Sequence, residues 1–179
     1  MADITPRPAD AILFERGVLT RLRPQDAEDF VQAVADNALH LSDWVPWADD
    51  PQARQAKAEG ADADWLADRA YVYALRLEPT GQIIGGLGLY RRVGEGAIEL
   101  GYWVAADHTG TGLASAAVSA LASVAIALAD IERLELHIDQ ANVPSSALAR
   151  RLGFRLARVY AYDPVTPAQS GRMQVWLRP

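Results

Sequence analysis

The stretch that most constrains the fold lies in the second half of the chain. A strand-like run ending Gly101-Tyr102-Trp103-Val104 leads into Thr109-Gly110-Thr111-Gly112, where an Ala-rich segment begins. Leu113, Ala117, Val118, Leu121, Val124, Ala125 and Leu128 fall on one stripe at a 3.6-residue period, which predicts a helix over 112–130. Glycines at such a junction let the backbone turn tightly and come close to a ligand. The first N–H groups of the helix lack internal partners and carry partial positive charge, so they suit a phosphate or pyrophosphate.

Three phosphate-binding patterns compete for this loop. A Walker loop needs Lys and then Ser or Thr after its last glycine, and Leu113 follows Gly112 here. A dinucleotide fingerprint would accept Gly110-x-Gly112-x-x-Ser115, with Asp130 near the distance for a ribose. That fingerprint belongs to a parallel βαβ unit. Strands predicted at 71–77, 83–90 and 97–104 are joined by the short turns 79–82 and 93–96, which implies an antiparallel meander. An acyl-CoA pyrophosphate loop is the third pattern. A helix start that merely needs glycines for its turn is the bland alternative.

The rest of the chain gives the frame. Residues 1–16 read as a loose N-terminal segment, with Pro6 and Pro8 discouraging regular structure. A strand over 19–23 stops at Pro24, and a helix over 26–37 buries Phe30, Val31 and Val34. The aromatic loop Trp44-Val45-Pro46-Trp47 precedes a polar helix over 51–68, which Gly60 is expected to interrupt. A strand over 134–138, a helix over 143–152 ended by Gly153, and strands over 155–162 and 173–178 complete the order. The expected fold is α/β (α+β): one domain over 1–179, with a mixed, mostly antiparallel sheet of about seven strands flanked by helices.

Composition narrows the chemistry. The chain of 179 residues has no Cys, which removes disulfides, thiolate metal sites and cysteine nucleophiles. His40, His108 and His137 stand at no metal-ligand spacing, and no metal is expected. Net charge is −6 and the basic residues are dispersed, which argues against a nucleic-acid partner and suits a cationic or amine-bearing one. The first residues lack a basic n-region and an apolar h-region, and the run 113–129 falls short of the ~20 apolar residues of a membrane span. The expectation is a soluble, cytoplasmic protein without a membrane partner. A homodimer is left open.

Thr109-Gly110-Thr111-Gly112-Leu113-Ala114 resembles motif A of the GNAT superfamily of N-acetyltransferases, [Gln/Arg]-x-x-Gly-x-[Gly/Ala], with Thr109 where the family prefers Gln or Arg. Asn142-Val143-Pro144-Ser145 and, further on, Leu152-Gly153-Phe154 are similar to a second family segment in the expected place. Leu22-Arg23-Pro24, Trp44-Val45-Pro46-Trp47 and Glu99-Leu100-Gly101-Tyr102-Trp103-Val104 resemble the Rim-type branch, which acetylates ribosomal-protein N-termini.

The resemblance implies acetyl-CoA as acyl donor, held by Thr109, Gly110, Thr111, Gly112, Leu113 and Ala114, with pantetheine along the main chain of Trp103 and Val104 and Asn142 on its amide arm. Val104 N–H would stabilise the developing oxyanion. Ser145 is the candidate acid for the leaving thiolate; a plain first-turn serine is the alternative. Asn142 also reads as an N-cap. Glu99 shares a strand face with Gly101 and Trp103 and is the candidate base; an exposed carboxylate is its alternative. Trp44 and Trp47 are candidates for the acceptor groove or for a cap over the core. His108 reads as a solvated loop residue and His137 as a satisfied sheet residue. At pH 7 an α-amine of pKa about 7.8 is roughly 10% neutral and a Lys amine well under 0.1%, so a protein N-terminus asks less of a weak base. A small-molecule amine as acceptor, and a non-catalytic acyl-CoA sensor, stand as rival readings.

Overall fold

A computed structural model describes residues 7–179. Residues 1–6, part of the segment expected to be loose, lie outside the described residues. The elements are β1 (Ala11–Phe14), β2 (Gly17–Arg21), α1 (Ala27–Asp36), α2 (Ala38–Leu41), α3 (Pro51–Leu66), β3 (Ala70–Leu77), β4 (Gln82–Tyr90), β5 (Ala97–Val104), α4 (Leu113–Ile126), β6 (Arg133–Asp139), α5 (Val143–Arg151), β7 (Arg155–Ala161) and β8 (Arg172–Arg178). Short 3-10 turns occupy Pro24–Asp26, Pro46–Asp49 and Ala106–His108.

Among the described residues the sheet has eight strands in the order β1-β2-β3-β4-β5-β6-β8-β7. The strand missing from the sequence reading is β1, which pairs antiparallel with β2. Its signal was present but short: Ile12 is buried while Leu13 is 80% exposed, a single period of alternation behind two prolines. Gly17 opens β2 because a Cβ there would stand 2.7 Å from the carbonyl oxygen of Arg76.

The meander is as expected: β3, β4 and β5 pair antiparallel in sequence order. The βαβ unit β5-α4-β6 supplies the parallel pair. The antiparallel strands before the glycine loop exclude the dinucleotide fold, and Asp130 is paired with Arg91 rather than placed for a ribose.

Apolar clusters cover both faces of the sheet. One packs α4 and α5 through Leu113, Ala117, Val118, Leu121, Ala125 and Leu148 onto Leu100, Leu134 and Leu136. The other packs α1 and α3 through Phe30, Val34, Ala58 and Ala61 onto Val72, Ala74 and Trp103. Helix α4 stops at Ile126, short of the expected residue 130, because the chain turns back at Leu128 (N–H to Ala125 O, 3.2 Å).

Helix α3 is uninterrupted. Asp50 caps it by accepting from Gln52 N–H (2.8 Å) and Ala53 N–H (3.2 Å), Pro51 fits its first position, and the alanines around Gly60 carry the helix through. A Cβ at Gly60 meets nothing within 4 Å. Gly60→Ala is therefore expected to raise unfolding stability by about 0.5–1 kcal/mol in chemical denaturation. A loss of stability would contradict an unstrained helical backbone at this position.

Candidate active site

The site is built where β5 and β6 part. Their pairing covers Ala97↔Arg133, Ile98↔Leu134 and Glu99↔Glu135, and stops there. Beyond it, residues 100–104 and 136–139 line an opening through the sheet. Ala105 N–H bonds to Ile84 O on β4 (2.8 Å). Main-chain groups alternate between the two edges of a strand, so those of Tyr102 and Val104 face the opening, away from β4.

Two cavities meet at this opening. One, of about 870 Å³, is lined by Val104, Thr109, Gly110, Gly112, Ala114 and Arg151 among others. The second, of about 340 Å³, is lined by Trp44, Trp47, Tyr90, Glu99, His137 and Asp139 among others. Trp44, Tyr102, Trp103, Asn142 and Ser145 border both.

The glycine loop has the conformation its sequence demands. Gly110 (φ 71°) and Gly112 (φ 83°) occupy the left-handed region, and Gly112 is the N-cap of α4. The N–H groups of Gly110, Gly112, Ala114 and Ser115 have no partner among the described residues. Thr109, where the motif prefers Gln or Arg, lines the larger cavity and its hydroxyl donates to Ala106 O (2.8 Å). Positive charge arrives from elsewhere: Arg16 donates to Thr111 O, and Arg151 reaches Ser115 Oγ at 3.4 Å. Thr111 and Leu113 do not line the cavity. The Thr111 hydroxyl ties the loop to His108 O (2.8 Å), and Leu113 packs into the core. His108 does line it, at the loop's edge.

Asn142 caps α5 by accepting from Ser145 N–H at 3.2 Å, as expected, and also borders both cavities. Ser145 Oγ accepts from Tyr102 Oη at 3.0 Å. Tyr102 is the partner the sequence did not single out. Period-two alternation does place it opposite in face to Glu99, Gly101 and Trp103, toward the α5 side. Burial pushes its phenol pKa up, so it keeps its proton and acts as a donor.

On the opposite face Trp103 lies edge-on to Phe30 (centroids 5.8 Å apart) and fits because Gly86 is bare: a Cβ there would stand 2.5 Å from Trp103 Nε1. Trp44 and Trp47 are half-buried walls of the smaller cavity, and Lys57 Nζ sits 5.1 Å from the ring centroids of both Trp47 and Tyr90.

Glu99 is not an exposed carboxylate. It is 8% exposed, and Arg92 grips both its oxygens at 2.7 Å. Next to it, Glu135 (4% exposed) accepts from Arg133 Nε (2.9 Å) and bonds His137 Nε2 (2.8 Å). Burial alone would raise the Glu135 pKa, but these bonds outweigh it and hold the carboxyl below its usual range. The same holds for Asp139: burial opposes ionisation, and the N–H groups of Ala141 and Ser170 with the hydroxyls of Tyr162 and Ser170 overcome it. Burial and the bond to Asp139 push the Tyr162 phenol up to about 12.

Both carboxylates have folded pKa values below their unfolded ones. The unfolded chain therefore binds more protons as pH falls, and stability drops from near pH 4 downward through the folded values. Asp139→Asn should flatten part of that acid loss in Tm measured against pH. An unchanged acid limb would show that Asp139 is not ion-stabilised.

A main-chain donor loop joined through a split sheet to a second cavity, with a hydroxyl at the junction, fits transfer of an acyl group from coenzyme A to an acceptor. Coenzyme A fits the residues present: the loop is bare of side chains at Gly110 and Gly112, its N–H groups are unpartnered, and the main chain of Val104 is open. The sequence model of the acetyltransferase (GNAT) domain matches residues 16–155, and the chain belongs to this family. It is an acetyl-CoA-dependent acetyltransferase.

Among curated proteins it is 28% identical over 137 residues to YdaF of Bacillus subtilis, whose name carries a provisional assignment as a ribosomal N-acetyltransferase; the match covers 74% of each chain. Among solved structures, RimL, a ribosomal-protein α-N-acetyltransferase in complex with coenzyme A, superposes with a TM-score of 0.82 at 20% identity, over 94% of this chain and 97% of that one. The microcin self-immunity acetyltransferase MccE, in complex with acetyl-CoA and AMP, gives 0.78 at 18% identity, over 92% of both. At these identities the two structures speak for the fold. No helix among the described residues is long and apolar enough to cross a membrane.

Proposed function

We propose that the chain acetylates the N-terminal α-amine of a protein or peptide, by direct attack of the amine on acetyl-CoA in a ternary complex. The observation that carries this reading is the junction of the two cavities at Tyr102, Trp103, Asn142 and Ser145. Donor and acceptor then approach from opposite faces of the sheet, and nothing need be carried on the protein. The absence of Cys agrees with that route.

The larger cavity takes the donor, with pyrophosphate on the loop and the acyl arm along Val104, whose N–H is aimed at the carbonyl oxygen. Ser145 is assigned as the acid for the leaving sulfur. Because its Oγ accepts from Tyr102, its own proton is free to point outward. The smaller cavity takes the acceptor, with Trp44, Trp47 and Tyr90 as walls that can hold the first side chains of a peptide. Glu99 is assigned to fixing Arg92 and the charge of this wall; both its oxygens are already engaged.

The names of YdaF and RimL support an N-terminal acceptor. The AMP in the MccE complex favours a second reading, a small-molecule acceptor. A panel of N-terminal peptides and small amines, assayed for CoA release, separates the two. Peptides are expected to give the higher kcat/KM by at least about tenfold, a difference of about 1.4 kcal/mol. Preferential turnover of small amines would replace the first reading with the second.

A further inference from the structure

The acceptor amine arrives as an ammonium and must lose a proton before it attacks. On the acceptor face of β5 and β6 the titratable side chains, besides Arg133, which holds Glu135, are Glu99, Glu135, His137 and Asp139. Three of them are engaged. Glu99 is bidentate on Arg92, Glu135 is shared between Arg133 and His137, and Asp139 is saturated by Ala141, Ser170 and Tyr162. Tyr162 donates to Asp139. Lys57 Nζ is occupied by two aromatic rings, 5.1 Å from the centroids of both Trp47 and Tyr90.

His137 differs from all of these. One ring nitrogen, Nε2, is held by Glu135, and among the described residues Nδ1 has no partner. The residue lines the acceptor cavity. Extending the β5/β6 register two residues past Glu99↔Glu135 sets it level with Gly101, over whose bare Cα the Tyr90 ring of the same cavity lies, 3.3 Å from where a Cβ would stand. A buried carboxylate on one imidazole nitrogen fixes the tautomer and turns the other nitrogen into an acceptor, the arrangement by which histidine bases are oriented.

We propose that His137 is the catalytic base of the transfer, oriented by Glu135 and accepting at Nδ1 a proton from the acceptor ammonium, directly or through one water. The neutral amine's lone pair then forms the N–C bond to the thioester carbonyl, and the C–S bond breaks. The nitrogen's second proton passes to Ser145 Oγ as Ser145 gives its own proton to the departing sulfur, so the hydroxyl is restored and the thiolate leaves as a thiol. The products are the amide, CoA thiol and one proton released from His137 to solvent. Arg92, Glu99, Lys57, Asp139 and Tyr162 line the same cavity, and Arg133 and Glu135 flank the imidazole on its own strand. The assignment rests on reading the smaller cavity as the acceptor site.

The test uses the acceptor with the highest turnover in the panel above. His137→Ala is expected to lower kcat by about 100-fold, to leave acetyl-CoA affinity within threefold by calorimetry, and to regain turnover in a saturable way when free imidazole is added. A kcat within threefold of wild type, or a loss that imidazole does not relieve, overturns the assignment. If the variant does not fold, imidazole nitrogen NMR of the wild-type chain decides: His137 is expected as the Nε2–H tautomer, and an Nδ1–H tautomer overturns the proposal. Wild-type chain that turns over no acceptor at all overturns the acceptor reading and this assignment with it. Turnover that His137→Ala matches overturns this assignment alone.

Discussion

Gly112→Val is expected to lower acetyl-CoA affinity by about 100-fold while leaving the fold intact. Gly112 holds φ 83°, where a β-branched residue costs on the order of 1–3 kcal/mol, and a Cβ would stand 3.2 Å from Arg16 Nη1. The loop is exposed and can relieve the strain by leaving the left-handed conformation. That relief turns the unpartnered N–H groups at the start of α4 away from one another. Hydrogen bonds to a charged group are each worth about 1.5–3 kcal/mol, so losing the alignment of even one or two accounts for the expected drop. Calorimetry of acetyl-CoA binding, with Tm as the control for folding, measures it. Affinity within threefold of wild type, at unchanged Tm, would show that the loop does not hold the donor.

The second large effect belongs to Ser145. Ser145→Ala should lower kcat by about 100-fold or more, with little change in acetyl-CoA affinity, because the hydroxyl is engaged only as the sulfur leaves. Tyr102→Phe should cost less, since Tyr102 only orients Ser145. The double variant should lose no more than Ser145→Ala alone, as expected of groups acting in series. The alanine also leaves the half-buried Tyr102 hydroxyl without its protein partner, which should lower stability modestly. Rates are therefore compared well below the variant's Tm. An unchanged kcat in Ser145→Ala would remove Ser145 as the acid, and additive losses would separate it from Tyr102.

Much of this was readable from residue order. Turn residues at 79–82 and 93–96 gave the meander, and Gly110 and Gly112 marked a loop whose left-handed φ values only glycine adopts cheaply. Asn142 and Ser145, three apart at a helix start, met as cap and capped N–H. What stayed hidden depends on contacts between distant segments. Strand β1 has too few residues for a period to register. Arg16 and Arg151 reach the loop from other elements, so the missing cation at Thr109 could not be traced locally.

Glu99 shows the limit most clearly. Its face and level on the strand follow from alternation, but its capture by Arg92 depends on how the β4–β5 turn folds back. His137 is the converse case. Flanked by Leu136 and Ile138, it looked like a residue satisfied within the sheet, and one of its nitrogens is. That the other faces a cavity follows from the parting of β5 from β6, which no local pattern encodes.

The most direct test of the account is mass spectrometry of a peptide that offers a free N-terminal α-amine and an internal Lys together, after incubation with the chain and acetyl-CoA. One added acetyl group is expected, on the α-nitrogen, in step with CoA release and with no acetylated protein intermediate. Acetylation of the Lys amine alone, or acetyl trapped on the protein before transfer, would contradict it.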